Sequence, residues 1–100
     1  MITEPTADPV IKQYRDQISD NDLQILEALN KRIKLVKSLN DYKESQGIDF
    51  YDAAREEWIV TFLSRANRGP LSNKGLRDIY TLVLEVVKWE VLGLEGKKAE

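Results

Sequence analysis

Residues 8–47 read DPVIKQYRDQISDNDLQILEALNKRIKLVKSLNDYKESQG, and the period of their apolar side chains sets the architecture of the chain. Asp8 is a capping acceptor, and Pro9 follows at the first helical position, where its missing N–H costs nothing. Gly47 closes the stretch as the residue type best able to take a left-handed turn after a helix. Residues 10–46 contain neither Gly nor Pro. Ile11, Tyr14, Ile18, Ile25, Leu29, Val36 and Leu39 recur in threes and fours or their sums, which is one stripe of a helix. Leu26 and Ile33 widen the apolar face, and Leu23 and Leu35 lie further round it.

A helix of that length is about 57 Å long at 1.5 Å per residue. A compact chain of 100 residues has a radius of gyration of about 13 Å, too small to cover the helix along its length. An apolar stripe left bare over several turns would be a large exposed patch, which monomers avoid. The expectation is an obligate, intertwined homodimer in which two copies share a core. A kink near Ser19–Asn21 would instead break the stretch into two shorter helices.

Outward from this stretch, composition narrows the chemistry. One hundred residues with 42% apolar and 32% charged side chains describe one soluble globular domain, residues 1–100, without a disordered bias. A formal charge of −2 argues against a nucleic-acid binder, which would show a strongly basic face. No apolar run is long enough for a membrane span, and MITEPTADP lacks the regions of a signal peptide, so the expected location is cytoplasmic. With no Cys and no His, disulfide frameworks, zinc sites of the usual type and Ser-His or Cys-His catalysis are excluded. The glycines at 47, 69, 75, 93 and 96 form no phosphate-binding loop. Asp20-Asn21-Asp22 superficially resembles a calcium loop but lacks the following Gly and the distal Glu. No metal or cofactor is expected, and an enzyme built from these residues would work by positioning and electrostatics.

Residues 1–7 read as a loose polar lead. After the long helix, Gly47-Ile48-Asp49-Phe50-Tyr51 is a short connector whose Ile48, Phe50 and Tyr51 are expected to tuck against the core. Asp52 caps a second helix over about 53–67, with Trp58, Ile59, Phe62, Leu63 and Ala66 on one side. Arg68-Gly69-Pro70 breaks it, and Ser72 caps a third helix over about 73–94. Leu76, Ile79, Tyr80, Val83, Val87 and Val91 form the buried line of that helix. Gly93 and Gly96 loosen its end, and residues 95–100 read as a solvated tail. The fold class is therefore all-α, with three helices per chain and one very long N-terminal helix.

Several charges do not fit a plain solvated face. Arg32 and Lys43 are 11 residues apart, within about 20° of each other and about 16 Å apart along the axis. Val36 and Leu39 form an apolar floor between them. Two long side chains leaning inward could both touch one small anion there; the alternative is that both snorkel out to water. Arg15 lies 17 residues before Arg32, about 25 Å away on the same helix. In an antiparallel pair of long helices, Arg15 of one copy can approach Arg32 and Lys43 of the other. Asp52 at a helix start leaves N–H groups that suit an anion. In the first turn Glu56 complements the helix dipole and Arg55 opposes it, a hint that Arg55 serves something besides stability.

Tyr14-Arg15-Asp16-Gln17-Ile18, Asp22, Leu29-Asn30-Lys31-Arg32, Asp41-Tyr42-Lys43 and Asp52 with Arg55-Glu56 form one joint spacing. That spacing resembles the all-helical chorismate mutases over about residues 10–92. The Asn67-Arg68-Gly69-Pro70 junction further resembles mutase domains fused to, or working beside, the first enzyme of the shikimate pathway. The resemblance implies an intertwined dimer that converts chorismate to prephenate by a unimolecular Claisen rearrangement, in aromatic amino-acid biosynthesis, without cofactor or metal. It implies that Arg15 from the partner chain, Arg32 and Arg55 hold the two substrate carboxylates as guanidinium forks. Lys43 would donate to the ether oxygen, so that Lys43 and Arg32 are the expected catalytic pair. Glu56, and Asp52 chiefly through the backbone near it, would bind the ring hydroxyl. On the third helix the family usually places a Ser or Thr and, four residues on, a Gln or Glu. The corresponding positions are Val87 and Val91, whose side chains read as packing. Glu90 next door points about 100° away.

The departure implies low intrinsic activity, open to enhancement by an aromatic-pathway partner enzyme. Two other readings share the fold: a regulatory or interaction module that binds without turnover, and a lyase that releases pyruvate from isochorismate. A plain helical dimerisation domain would leave the joint spacing of Arg15, Arg32, Lys43 and Arg55 unexplained.

Overall fold

The computed structural model describes residues 8–93. They form three helices in the order α1 (Pro9–Ser45), α2 (Ala53–Ala66) and α3 (Asn73–Leu92). The loose lead expected at 1–7, and Gly96 with the tail at 95–100, lie outside the described residues.

Local chemistry accounts for each boundary. Asp8 Oδ1 accepts from the N–H groups of Val10 and Ile11 at 2.9 and 3.1 Å, which relieves two of the unpaired donors at the start of α1. The helix runs unbroken through Ser19–Asn21, so the kinked alternative is not adopted. It ends where Gly47 takes a φ of 68°, open to glycine and strained for other residues. Asp52 caps α2 through Oδ1, which accepts from the Arg55 N–H at 3.1 Å. Ser72 caps α3 in the same way, its Oγ accepting from the Gly75 N–H at 2.9 Å. Between α2 and α3, Asn67 donates from Nδ2 to the Leu71 carbonyl at 2.8 Å and accepts at Oδ1 from the Gly69 N–H at 2.9 Å. Gly93 closes α3 in the left-handed region.

The chain divides inside α1 into two units, Met1–Arg32 and Ile33–Glu100. In the first, α1 has no buried residue. Its apolar stripe faces solvent, with Tyr14 64% and Ile18 59% exposed. In the second, α2 and α3 pack on each other. Leu76 and Val87 of α3 are the buried hydrophobic core among the described residues, at 5% and 4% exposure.

Three expectations about packing need correction. Ile48 and Tyr51 do not tuck in; both are more than half exposed, and only Phe50 of the connector is half-buried. Ile79 does not belong to the buried line of α3, since it is half exposed. Periodicity identifies which side chains share a stripe but not which of them a neighbouring element covers. Tyr51 instead supplies a platform, with the Lys88 ammonium 4.6 Å from its ring centroid.

Candidate active site

The residues singled out from the sequence fall in both units. Arg15 and Arg32 lie in the first, and Lys43, Asp52, Arg55, Glu56, Val87 and Val91 in the second.

In the first unit Arg15 is exposed on α1. Arg32, by contrast, is half-buried, and its Nε is shielded from solvent with no hydrogen-bond partner. A shielded guanidinium N–H without an acceptor is costly, which makes Arg32 a candidate anion-binding residue.

In the second unit Lys43 is also half-buried, although α1 has no fully buried residue. Its Nζ donates to the Phe50 carbonyl at 3.2 Å, a part-buried bond that holds the ammonium against the connector. Two N–H donors of that ammonium remain for a ligand. The Ile48 N–H donates to the Lys43 carbonyl at 2.8 Å, so the connector and the end of α1 are tied together.

Asp52 spends its carboxylate on the α2 cap and is exposed. Arg55 lies with its guanidinium carbon 4.4 Å from the Trp58 ring centroid, and Trp58 stacks on Phe62 at 4.9 Å with 6° between the planes. The stack orients the guanidinium without consuming its in-plane donors. Glu56 is half-buried and pairs with Lys88 of α3, Oε2 to Nζ, at 3.5 Å. Val87 is buried, as packing would have it, Val91 is half-buried, and Glu90 is exposed.

Glu56 and Lys88 line a cleft of about 550 Å³ between α2 and α3, with Tyr51, Arg77, Leu84 and Glu85 among its walls. Sequence reasoning missed Lys88. The signal was present: it is the single cation in LVLEVVKWEVL, residues 82–92, a segment otherwise apolar but for Glu85 and Glu90. Its contact with Glu56, 32 residues away, is tertiary and has no spacing rule. Among the described residues no group of three or more His, Cys, Asp or Glu side chains is placed to hold a metal ion.

The described residues form an all-α fold in which Arg32 and Lys43 are each half-buried. The chain belongs to the chorismate mutase type II family, whose model matches residues 14–89. Membership assigns it an isomerase activity, that of a chorismate mutase, with chorismate as substrate. Among solved structures it is similar to chorismate mutase (form I) from Thermus thermophilus. The two are 25% identical with a TM-score of 0.75, over 77% of this chain and 96% of that one. A search of curated protein sequences gives no significant match. No helix among the described residues is long and apolar enough to cross a membrane.

Proposed function

We propose that the chain rearranges chorismate to prephenate in a site completed by a second copy of itself, with the cations of α1 and α2 as its working parts. The reaction is intramolecular: the ether C–O bond breaks as a C–C bond forms, and no proton or group is exchanged with the protein. Catalysis then reduces to holding the side chain folded over the ring and stabilising charge that grows on the ether oxygen. In this reading Arg32, Arg55 and Arg15 of the second copy grip the two carboxylates, and Lys43 donates to the ether oxygen. Glu56 accepts from the ring hydroxyl, helped by the backbone at Asp52.

One observation carries the reading. On a helix whose apolar residues are largely exposed, Arg32 and Lys43 are drawn half out of solvent, and Arg32 Nε has no acceptor. Cations that snorkelled to water would be the most exposed groups on α1, and these two are among its least exposed.

The bare apolar face of Ile11, Tyr14, Ile18, Ile25 and Leu26 supports the second copy, since a surface of that kind calls for a cover. Val87 and Val91 stand where the family usually has polar groups, which supports a low intrinsic rate and a role for an aromatic-pathway partner enzyme. A cytoplasmic setting is part of the same proposal, because the product feeds aromatic amino-acid synthesis.

The test is to incubate purified protein with chorismate and, separately, with isochorismate, and to identify the products. Prephenate from the first, reduced on the order of a hundredfold or more in Lys43→Ala and in Arg32→Ala, is the expected result. Pyruvate release from isochorismate would make the chain a lyase. Tight binding of chorismate without turnover would make it a binding module.

A further inference from the structure

Val87 of α3 is buried at 4% exposure and cannot reach a ligand, and Glu90 points to solvent. The α3 side chain that does reach a proposed site residue is Lys88. Three contacts define its ammonium: Glu56 Oε2 at 3.5 Å, Glu85 Oε2 at 4.0 Å, and the Tyr51 ring centroid at 4.6 Å. The groups are drawn from the connector, α2 and α3, so the lysine ties all three together. The side chains of Lys88 and Glu56 are 24% and 31% exposed, which screens their attraction far less than that of the surface pairs on α1 and α3.

Glu56 presents a physical problem on its own. Its carboxylate is negative, and the proposed ligand carries two negative charges. A bare carboxylate within the site would repel the molecule that its hydrogen bond is meant to hold. Lys88 resolves the conflict at atomic level: it engages Oε2 and leaves Oε1 to accept from a hydroxyl.

We infer that Lys88 is a positioning residue for substrate selection, which fixes and neutralises Glu56 so that the carboxylate accepts the ring hydroxyl of a dianionic substrate. The inference rests on the mutase reading above and adds to it a role for α3 that the two valines do not supply. Lys88 acts through Glu56, and the Tyr51 ring beneath it limits how far the ammonium can swing. Glu85, at 4.0 Å, is the second and more distant carboxylate beside the same ammonium, so Glu56 holds the closer share of its charge.

Steady-state kinetics with chorismate on the full chain test this. Lys88→Met, which keeps the unbranched stem and removes the charge, should raise KM on the order of tenfold to a hundredfold while kcat falls less. Lys88→Arg should restore most of the loss. In a Glu56→Gln background the same Lys88→Met change should add little, because the group it restrains is no longer charged. Lys74→Met serves as the control, since Lys74 pairs with Asp78 on the exposed face of α3. An unchanged KM in folded Lys88→Met, or an equal further loss on top of Glu56→Gln, would overturn the inference. Circular dichroism checks the fold of each variant, and Lys88→Gln takes the place of Lys88→Met should the latter not fold. A parent chain that leaves chorismate untouched is a different outcome, because it removes the mutase reading itself.

Discussion

Val91 and Lys88 stand three residues apart on α3, and the reading proposed above gives packing to the one and restraint of Glu56 to the other. Val91 is half-buried at the position that the resemblance matches to a Gln or Glu of the family. Replacing it by glutamine supplies a preorganised donor, and single donors of this kind are typically worth about 10² to 10³ in rate. Val91→Gln should therefore raise kcat for chorismate, by on the order of tenfold if only part of that is recovered. Turnover no faster than the parent would place the α3 register elsewhere. At this scale the candidate cations were legible in the sequence, because Arg32 and Lys43 share a helical face at fixed spacing. For Lys88 the sequence marks a lone cation in an apolar segment but not its partner, because the Glu56 carboxylate lies across the α2–α3 packing.

Each helix was legible as an element, and for local reasons. Asp8, Asp52 and Ser72 all cap through the side chain, as their residue types suggested. The N-terminal cap on α1 makes the sharpest stability prediction, because that end of the helix has no buried residue to hold it. Asp8→Ala should lower stability by about 1 kcal/mol, seen as a reduced melting temperature with chorismate turnover retained. A melting temperature equal to the parent's would mean that the first turn of α1 frays freely. The facing of Ile79 and of the connector was not legible. A period of 3.6 residues marks Ile79 as part of a stripe, whereas its exposure depends on what lies opposite.

For the molecule as a whole, the decisive quantity is the apolar surface that one chain leaves uncovered. Two buried hydrophobic residues among those described make a small core for a chain of 100 residues. The proposed second copy would cover the α1 stripe and deliver Arg15. Sedimentation at working concentration should then give a dimer, and the melting temperature should rise with protein concentration, as mass action requires. A folded monomer whose melting temperature ignores concentration would leave the proposed pocket without its third arginine. The expectation of a second copy rests on the length of α1, since a helix of 37 residues is longer than a compact chain of this size can wrap.

The corner at Asn67 adds something about the order in which such a pocket is completed. Its amide braces the bend, giving one bond and taking another within the same short corner. On the reading proposed above, the grip on the ring hydroxyl is built from one chain alone. The third guanidinium comes from the other chain, so pairing completes both pockets at once.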